Sequence, residues 1–193
     1  DKLKSKTRER YSSGKNFFLF VGSLHKRKNL KNLLLAFDGY RNNGGQNKLL
    51  IIGKKKWWDQ ETEKVFKKLE SKNHVKFLGR VSDDEMINIL ASSKALCFVS
   101  FFEGFGLPIL EAMKCETPVI CSNTSAMPEV SGNASLLVNP YCHHEITNAM
   151  LKIDNSSNSE MVGKGILNLN RFDWCKSAEQ IFEILLKAKK NGY

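Results

Sequence analysis

Residues 17–37 read FFLFVGSLHKRKNLKNLLLAF. Phe17–Val21 is a run of five large apolar residues, closed by Gly22. Such a run, short and apolar on both faces, suits a strand buried on both sides of a sheet. From Leu30 the pattern changes. Leu33, Leu34 and Phe37 recur at helical spacing, which predicts a helix over Leu30–Tyr40. Between the two lies Gly22-Ser23-Leu24-His25-Lys26-Arg27-Lys28-Asn29. The segment is therefore a strand, a glycine turn carrying three consecutive cations, and a helix.

The same unit repeats along the chain. Further strands are predicted at Lys48–Ile52, Val75–Leu78, Ala95–Ser100, Pro118–Cys121 and Ser135–Val138, the second and third each followed at once by Gly53 or Gly79. Helices are predicted at Gln60–Lys72, Ser82–Ser93, Pro108–Lys114, His143–Ile153, Ser159–Asn168 and Trp174–Lys190. Ser82 and Glu85 have the spacing of a capping box. Six apolar strands joined by helices imply an α/β fold, a Rossmann-like doubly wound parallel six-stranded sheet. In such sheets ligands bind beyond the carboxyl ends of the strands, so the residues just after each strand carry the functional information.

The chain has 193 residues, 41% of them hydrophobic, enough for one domain with a real core. Its formal charge of +10 is uneven. Residues 1–15 hold six basic and two acidic residues, residues 16–100 hold sixteen and eight, and residues 101–193 hold eight and ten. The front half should attract anions. A strand-free, basic stretch at 1–15 is expected to be an interdomain linker remnant, with the domain itself spanning 16–193. No apolar run approaches the ~20 residues of a membrane span. The five cysteines form no CxxC pair and the four histidines no HExxH, so no metal site is expected. Cys97 and Cys121, inside apolar runs, read as core residues. The sequons at Asn123, Asn133 and Asn155 read as chance.

Two strand ends stand out. After the first strand, a glycine turn, a helix start and the cations Arg27 and Lys28 suit a phosphate or diphosphate, although a solvated helix N-terminus would use the same residues. The run is neither a P-loop nor a GxGxxG fingerprint. After the fourth strand comes Phe102-Glu103-Gly104-Phe105-Gly106-Leu107-Pro108-Ile109-Leu110-Glu111. Its glycines let a ligand approach the backbone, and a helix follows with Pro108 near its first turn. Glu111, placed in that first turn, can accept hydrogen bonds from vicinal hydroxyls. Glu103 is expected on the loop at the mouth of the cleft.

Residues 102–113, FEGFGLPILEAM, resemble the E-x7-E signature of retaining GT-B glycosyltransferases, closest to glycosyltransferase family 4. FVGSLHKRKNLKNLLLAF at 20–37, VKFLGRVSD at 75–83, TPVICSNTSAMPEVSGNASLL at 117–137 and RFDW at 171–174 are similar to further segments of that family, in order. The resemblance covers about residues 17–190. It implies the C-terminal, nucleotide-sugar-binding half of a GT-B enzyme, with an acceptor-binding N-terminal domain outside this sequence. By motif, Glu111 would bind the donor ribose and Glu103 would lie near the donor sugar, positioning it rather than attacking it. The backbone of Gly104, Phe105, Gly106 and Leu107 would hold sugar and distal phosphate. Lys28, with the turn at Gly22, would neutralise the diphosphate, and Arg80 and Val81 would lie against the base. Gly53 and Lys54 are nucleotide neighbours. Many members have Arg where this chain has Ser23, so Arg27 is expected to bring a guanidinium from another direction.

The resemblance further implies a hexosyltransferase that uses a GDP- or UDP-sugar and no cofactor. No DxD motif occurs, consistent with a metal-independent site resting on Lys28 and Arg27. Its acceptor would be a polysaccharide or glycolipid, and its place the cytoplasm, with a peripheral contact to anionic lipid at the inner membrane face. The isolated chain should bind donor and turn over poorly. Trp57-Trp58, after Lys54–Lys56, suits either a membrane or acceptor patch or burial against the following helix. A GT-B-fold sugar-nucleotide epimerase is the alternative, and a basic nucleic-acid-binding module a weaker one, because the aromatics sit in core-type runs rather than among the lysines.

Overall fold

A computed structural model describes residues 2–54 and 58–190. Each apolar run forms a strand: β1 Phe17–Val21, β2 Lys48–Ile52, β3 Val75–Gly79, β4 Ala95–Phe98, β5 Val119–Ser122 and β6 Leu136–Val138. All neighbouring strands are parallel, in the order β3-β2-β1-β4-β5-β6. The chain winds outward from β1 to one edge, returns to β4, and winds to the other. This is the predicted doubly wound α/β sheet, and its order reverses between β1 and β4.

Alternation along β1 divides the core. Phe18 and Phe20 face one side with Leu33, Leu34, Phe37 and Tyr40 of α2 (Leu30–Asn42) and Ile146 and Met150 of α7 (His143–Asn155). Phe17 and Leu19 face the other, with Ile89 of α4 (Asp83–Ser92) and Ile109 and Met113 of α5 (Leu107–Lys114). These four β1 side chains are essentially inaccessible, as a strand covered on both faces requires. Cys97 and Cys121 are buried in this core, and burial pushes the Cys97 thiol up to about 12. The Ser82–Glu85 capping box forms at the start of α4.

The basic stretch expected as a linker carries a helix. Lys2–Ser12 is a helix, α1, laid against α4. Arg8 donates to the Ser92 carbonyl at 3.0 Å, and the Tyr11 hydroxyl donates to Glu85 at 2.7 Å. The helix predicted over Gln60–Lys72 stops at Lys68 (α3, Gln60–Lys68), because Leu69 turns to extended backbone and buries its side chain. A 3-10 turn over Glu70–His74 follows. A short helix, α6 (Met127–Ser131), lies between β5 and β6. Trp58 packs edge-on against Phe66 of α3 and Phe77 of β3, the burial alternative above; Lys55, Lys56 and Trp57 lie outside the described residues. The chain closes with α8 (Ser159–Leu169) and α9 (Trp174–Lys190). Among the described residues no helix is long and apolar enough to cross a membrane.

Candidate functional site

The crevice between the ends of β1 and β4 is where a doubly wound sheet offers a ligand site, and the two informative strand ends meet there. After β1, Lys26–Lys28 forms a 3-10 turn that ends at Asn29, held in the left-handed region at φ 57°. The buried Asn29 amide donates to the carbonyls of Val99 (2.8 Å) and Pro140 (2.7 Å), which fixes the basic turn against the end of β4. Phe101 N–H donates to the Arg27 carbonyl at 2.9 Å, a second tie between the two loops.

The side chains then converge. Lys28 Nζ lies 2.6 Å from Glu103 Oε1, and an Arg27 terminal nitrogen lies 2.8 Å from Glu103 Oε2. The same Arg27 nitrogen donates to the Phe102 carbonyl at 2.6 Å. Lys28 Nζ also sits 5.0 Å from the centre of the Phe98 ring. Glu103 stands on the loop after β4 and is only 8% exposed. Burial alone pushes its carboxyl up, but the hydrogen bonds from Lys28, Ser100 and Arg27 outweigh burial and hold it below the usual carboxylate range. The Arg27 guanidinium, expected to approach from another direction than the position of Ser23, pairs here with Glu103.

A cleft of about 430 Å³ opens beside this cluster. Gly22, Ser23, Gly53, Lys54, Arg80 and Val81 all line it, so the residues after β1, β2 and β3 share one wall. Two glycines make that wall. At Gly53 (φ 153°) a Cβ would lie 1.9 Å from the Gly22 carbonyl oxygen, so the two turns close only without a side chain. At Gly22 (φ 150°) a Cβ would crowd the Lys28 stem at 3.4 Å.

Glu111 lies in the second turn of α5, not the first, since the helix begins at Leu107. It lines an adjoining cleft of about 450 Å³, which shares Asp83 and Met86 with the first. Partial desolvation, and then the Asp83 carboxylate, push the Glu111 carboxyl above its ordinary value. Gly106 caps α5 at φ 116°. A Cβ on Gly104 would meet open space. The Phe105 and Leu107 side chains point elsewhere, into an apolar pocket of about 330 Å³ with Leu110, Phe172 and Trp174.

Sequence reasoning missed Asp83 and Met86, which join the two clefts, and the hydroxyls at and just beyond the end of β5. The Ser122 hydroxyl donates to the Ser100 carbonyl (2.6 Å), the Thr124 hydroxyl donates to the Phe101 carbonyl (3.1 Å), and the Glu103 N–H donates to Ser125 Oγ (3.0 Å). Asp83 follows β3 closely and was open to the strand-end rule. Nothing in the order of residues marks the Ser125 contact.

Comparison with known proteins places this geometry. The family described as "Glycosyl transferases group 1" matches residues 1–189. O-antigen chain mannosyltransferase B of Escherichia coli is 31% identical over 161 residues, covering 82% of this chain and 42% of that protein. O-antigen chain mannosyltransferase RfbU of Salmonella typhimurium is 35% identical over 129 residues, 65% of this chain and 35% of that protein. Among solved structures, sucrose-phosphate synthase of Thermosynechococcus elongatus superposes with a TM-score of 0.79 at 22% identity, over 99% of this chain and 51% of that one. Anabaena Alr3699/HepE, solved with UDP and glucose, superposes with a TM-score of 0.80 at 24% identity, over 95% and 52%. The chain thus spans less than half the length of these curated relatives and about half that of the solved neighbours.

Proposed function

The chain belongs to the glycosyl transferases group 1, and from that premise we propose that it is the donor-binding half of a retaining, metal-independent glycosyltransferase. The enzyme transfers a hexose from a GDP- or UDP-sugar to a polysaccharide or glycolipid acceptor. The observation that carries the reading is the meeting of Arg27, Lys28 and Glu103 at the sheet's reversal point, beside the glycine-walled cleft.

Breaking a sugar–diphosphate bond builds negative charge on the departing nucleotide. Preorganised cations stabilise that charge in the transition state, and Lys28 and Arg27 are the residues for it. Glu111 accepts the ribose hydroxyls, and Arg80 and Val81 lie along the base. Gly22, Ser23, Gly53 and Lys54 border the nucleotide. The backbone of Gly104, Phe105, Gly106 and Leu107 holds sugar and distal phosphate. Glu103 positions the sugar through its hydroxyls. The cations take the charge-stabilising task with no metal and no cofactor beyond the donor.

The acceptor site belongs to a companion N-terminal domain. Half the length of the solved neighbours supports this, and so does α9, whose Trp174, Ile181, Phe182 and Leu185 are all well exposed. The relatives named above are mannosyltransferases that build O-antigen, which makes mannose the first sugar to try and a surface polysaccharide the first acceptor class. The front-half charge favours a peripheral position on anionic lipid on the cytoplasmic side.

A thermal-shift screen of nucleotide sugars tests the donor class, since a ligand bound only by the native state raises its stability. A GDP- or UDP-sugar should raise the transition temperature; no shift from any of them contradicts the reading. Transfer by the full-length enzyme should then persist in a chelator and keep the anomeric configuration by NMR.

A further inference from the structure

We infer that Glu103 is a specificity-determining residue that makes the site prefer a sugar-bearing nucleoside diphosphate over the bare nucleoside diphosphate left after transfer. The inference rests on the donor-site reading above and adds to it. Both Glu103 carboxylate oxygens are taken, Oε1 by Lys28 at 2.6 Å and Oε2 by Arg27 at 2.8 Å. The cations that a diphosphate needs are thus already bound to an internal anion. Whatever binds them competes with Glu103.

The competition is unequal because the carboxylate's backbone is tied down. Phe101 N–H bonds to Arg27 O, Thr124 bonds to Phe101 O, Ser122 to Ser100 O, and Glu103 N–H to Ser125. Residues 100–103 cannot shift without breaking these ties, whereas the ends of Lys28 and Arg27 are long and rotatable. A diphosphate draws the cations off and leaves Glu103 behind. A buried carboxylate stripped of both its cations is costly. A sugar on the distal phosphate restores the donors, because its hydroxyls reach the carboxylate as the cations leave. A bare diphosphate restores nothing. The site therefore holds the donor and rejects the spent nucleotide with the same side chain, which assists turnover.

The test is calorimetric titration of the chain and its Glu103→Gln variant with UDP, GDP, their hexose conjugates and inorganic pyrophosphate. The amide cannot hold two cations, so bare diphosphate and pyrophosphate should bind about tenfold tighter to Glu103→Gln, the size of one charge-assisted bond. The preference for the sugar conjugate should shrink by a similar factor. Glu103→Asp, which keeps the charge but withdraws it by one methylene, should move both quantities in the same direction and serves if the amide variant folds poorly. Glu61→Gln removes a neighbouring acid that pairs with Lys31 outside the cluster and should leave the preference unchanged. If the wild type binds sugar nucleotides but neither Glu103 variant binds bare diphosphate more tightly, the discrimination falls and the donor-site reading stands. An equal gain in Glu61→Gln also overturns it, as mere net charge. If no form binds any nucleotide, both fall.

Discussion

Glu103 and Glu111, with seven residues between them, have opposite electrostatics. Glu103 is clamped and held ionised by two cations; Glu111 is partly desolvated beside Asp83 and is pushed toward its neutral form. A carboxyl whose folded value is raised adds stability below its unfolded value and loses it as pH rises. At neutral pH, Glu111→Gln should therefore leave the transition temperature equal or higher. The same change should weaken nucleoside diphosphate binding about tenfold, since ribose hydroxyls lose a charged acceptor. The raised value also means that, in the wild type, nucleotide affinity falls with acidification sooner than an ordinary carboxylate of ~4.3 would dictate, and titrations across pH should show this inflection lost in Glu111→Gln. Glu103 has the opposite sign. Its depressed value gives stability present above the unfolded value and lost as pH falls through the folded one. Wild-type stability should therefore fall more steeply with acidification than that of Glu103→Gln, where the dependence is absent, and its acid unfolding by circular dichroism should not set in at higher pH than the variant's.

At the scale of elements, the site depends on how closely turns and helices approach. The Gly22 and Gly53 turns touch, with Gly22 N–H bonding to Ile52 O at 3.0 Å. Gly53→Ala should cost about 1–3 kcal/mol in urea denaturation, the range for overpacking a tight contact, and should open the cleft wall. Under the opposite sheet face, Tyr40 of α2 donates to Asp154 at 2.6 Å and accepts from Asn47 N–H at 3.2 Å. Tyr40→Phe should lose about 1–2 kcal/mol without altering nucleotide affinity, because Asn47 precedes β2, at the end of the sheet opposite the crevice. Elements with apolar periodicity, β1 and α2 above all, were legible from residue order because burial writes itself into spacing. Helix α1 was not. KLKSKTRERYS has no apolar stripe, and Arg8 and Tyr11 find their partners 84 and 74 residues away. The end of β4 was read two residues too far, since Val99 and Ser100 are as buried as a strand but give their carbonyls to the side chains of Asn29 and Ser122.

For the whole molecule, the order β3-β2-β1-β4-β5-β6 turns scattered strand-end motifs into one site. The motifs themselves were visible in sequence: a basic turn, a glycine-flanked acid, a second acid on the next helix. Their mutual contact was not, because Arg27 and Lys28 stand 75 or more residues before Glu103 and only the return from β3 to β4 brings them together. The excess charge of the front half is similarly resolved in part, with Arg27 and Lys28 occupied and Lys67 exposed on α3 in a pair with Glu63. Helix α9 belongs to another level of organisation. Trp174 is 81% exposed and the apolar face of α9 is open, so removing residues 174–190 should change the unfolding free energy of the sheet by no more than about 0.5 kcal/mol, as measured by denaturant titration.

The central claim is that the crevice between β1 and β4 holds a nucleoside diphosphate by its phosphates and ribose. Calorimetric titration of GDP and UDP into the wild-type chain, Lys28→Ala and Glu111→Ala tests it most directly. One of the two nucleotides should bind saturably, and each substitution should weaken it by about tenfold or more. No binding of either nucleotide, or affinity untouched by both substitutions, would contradict it.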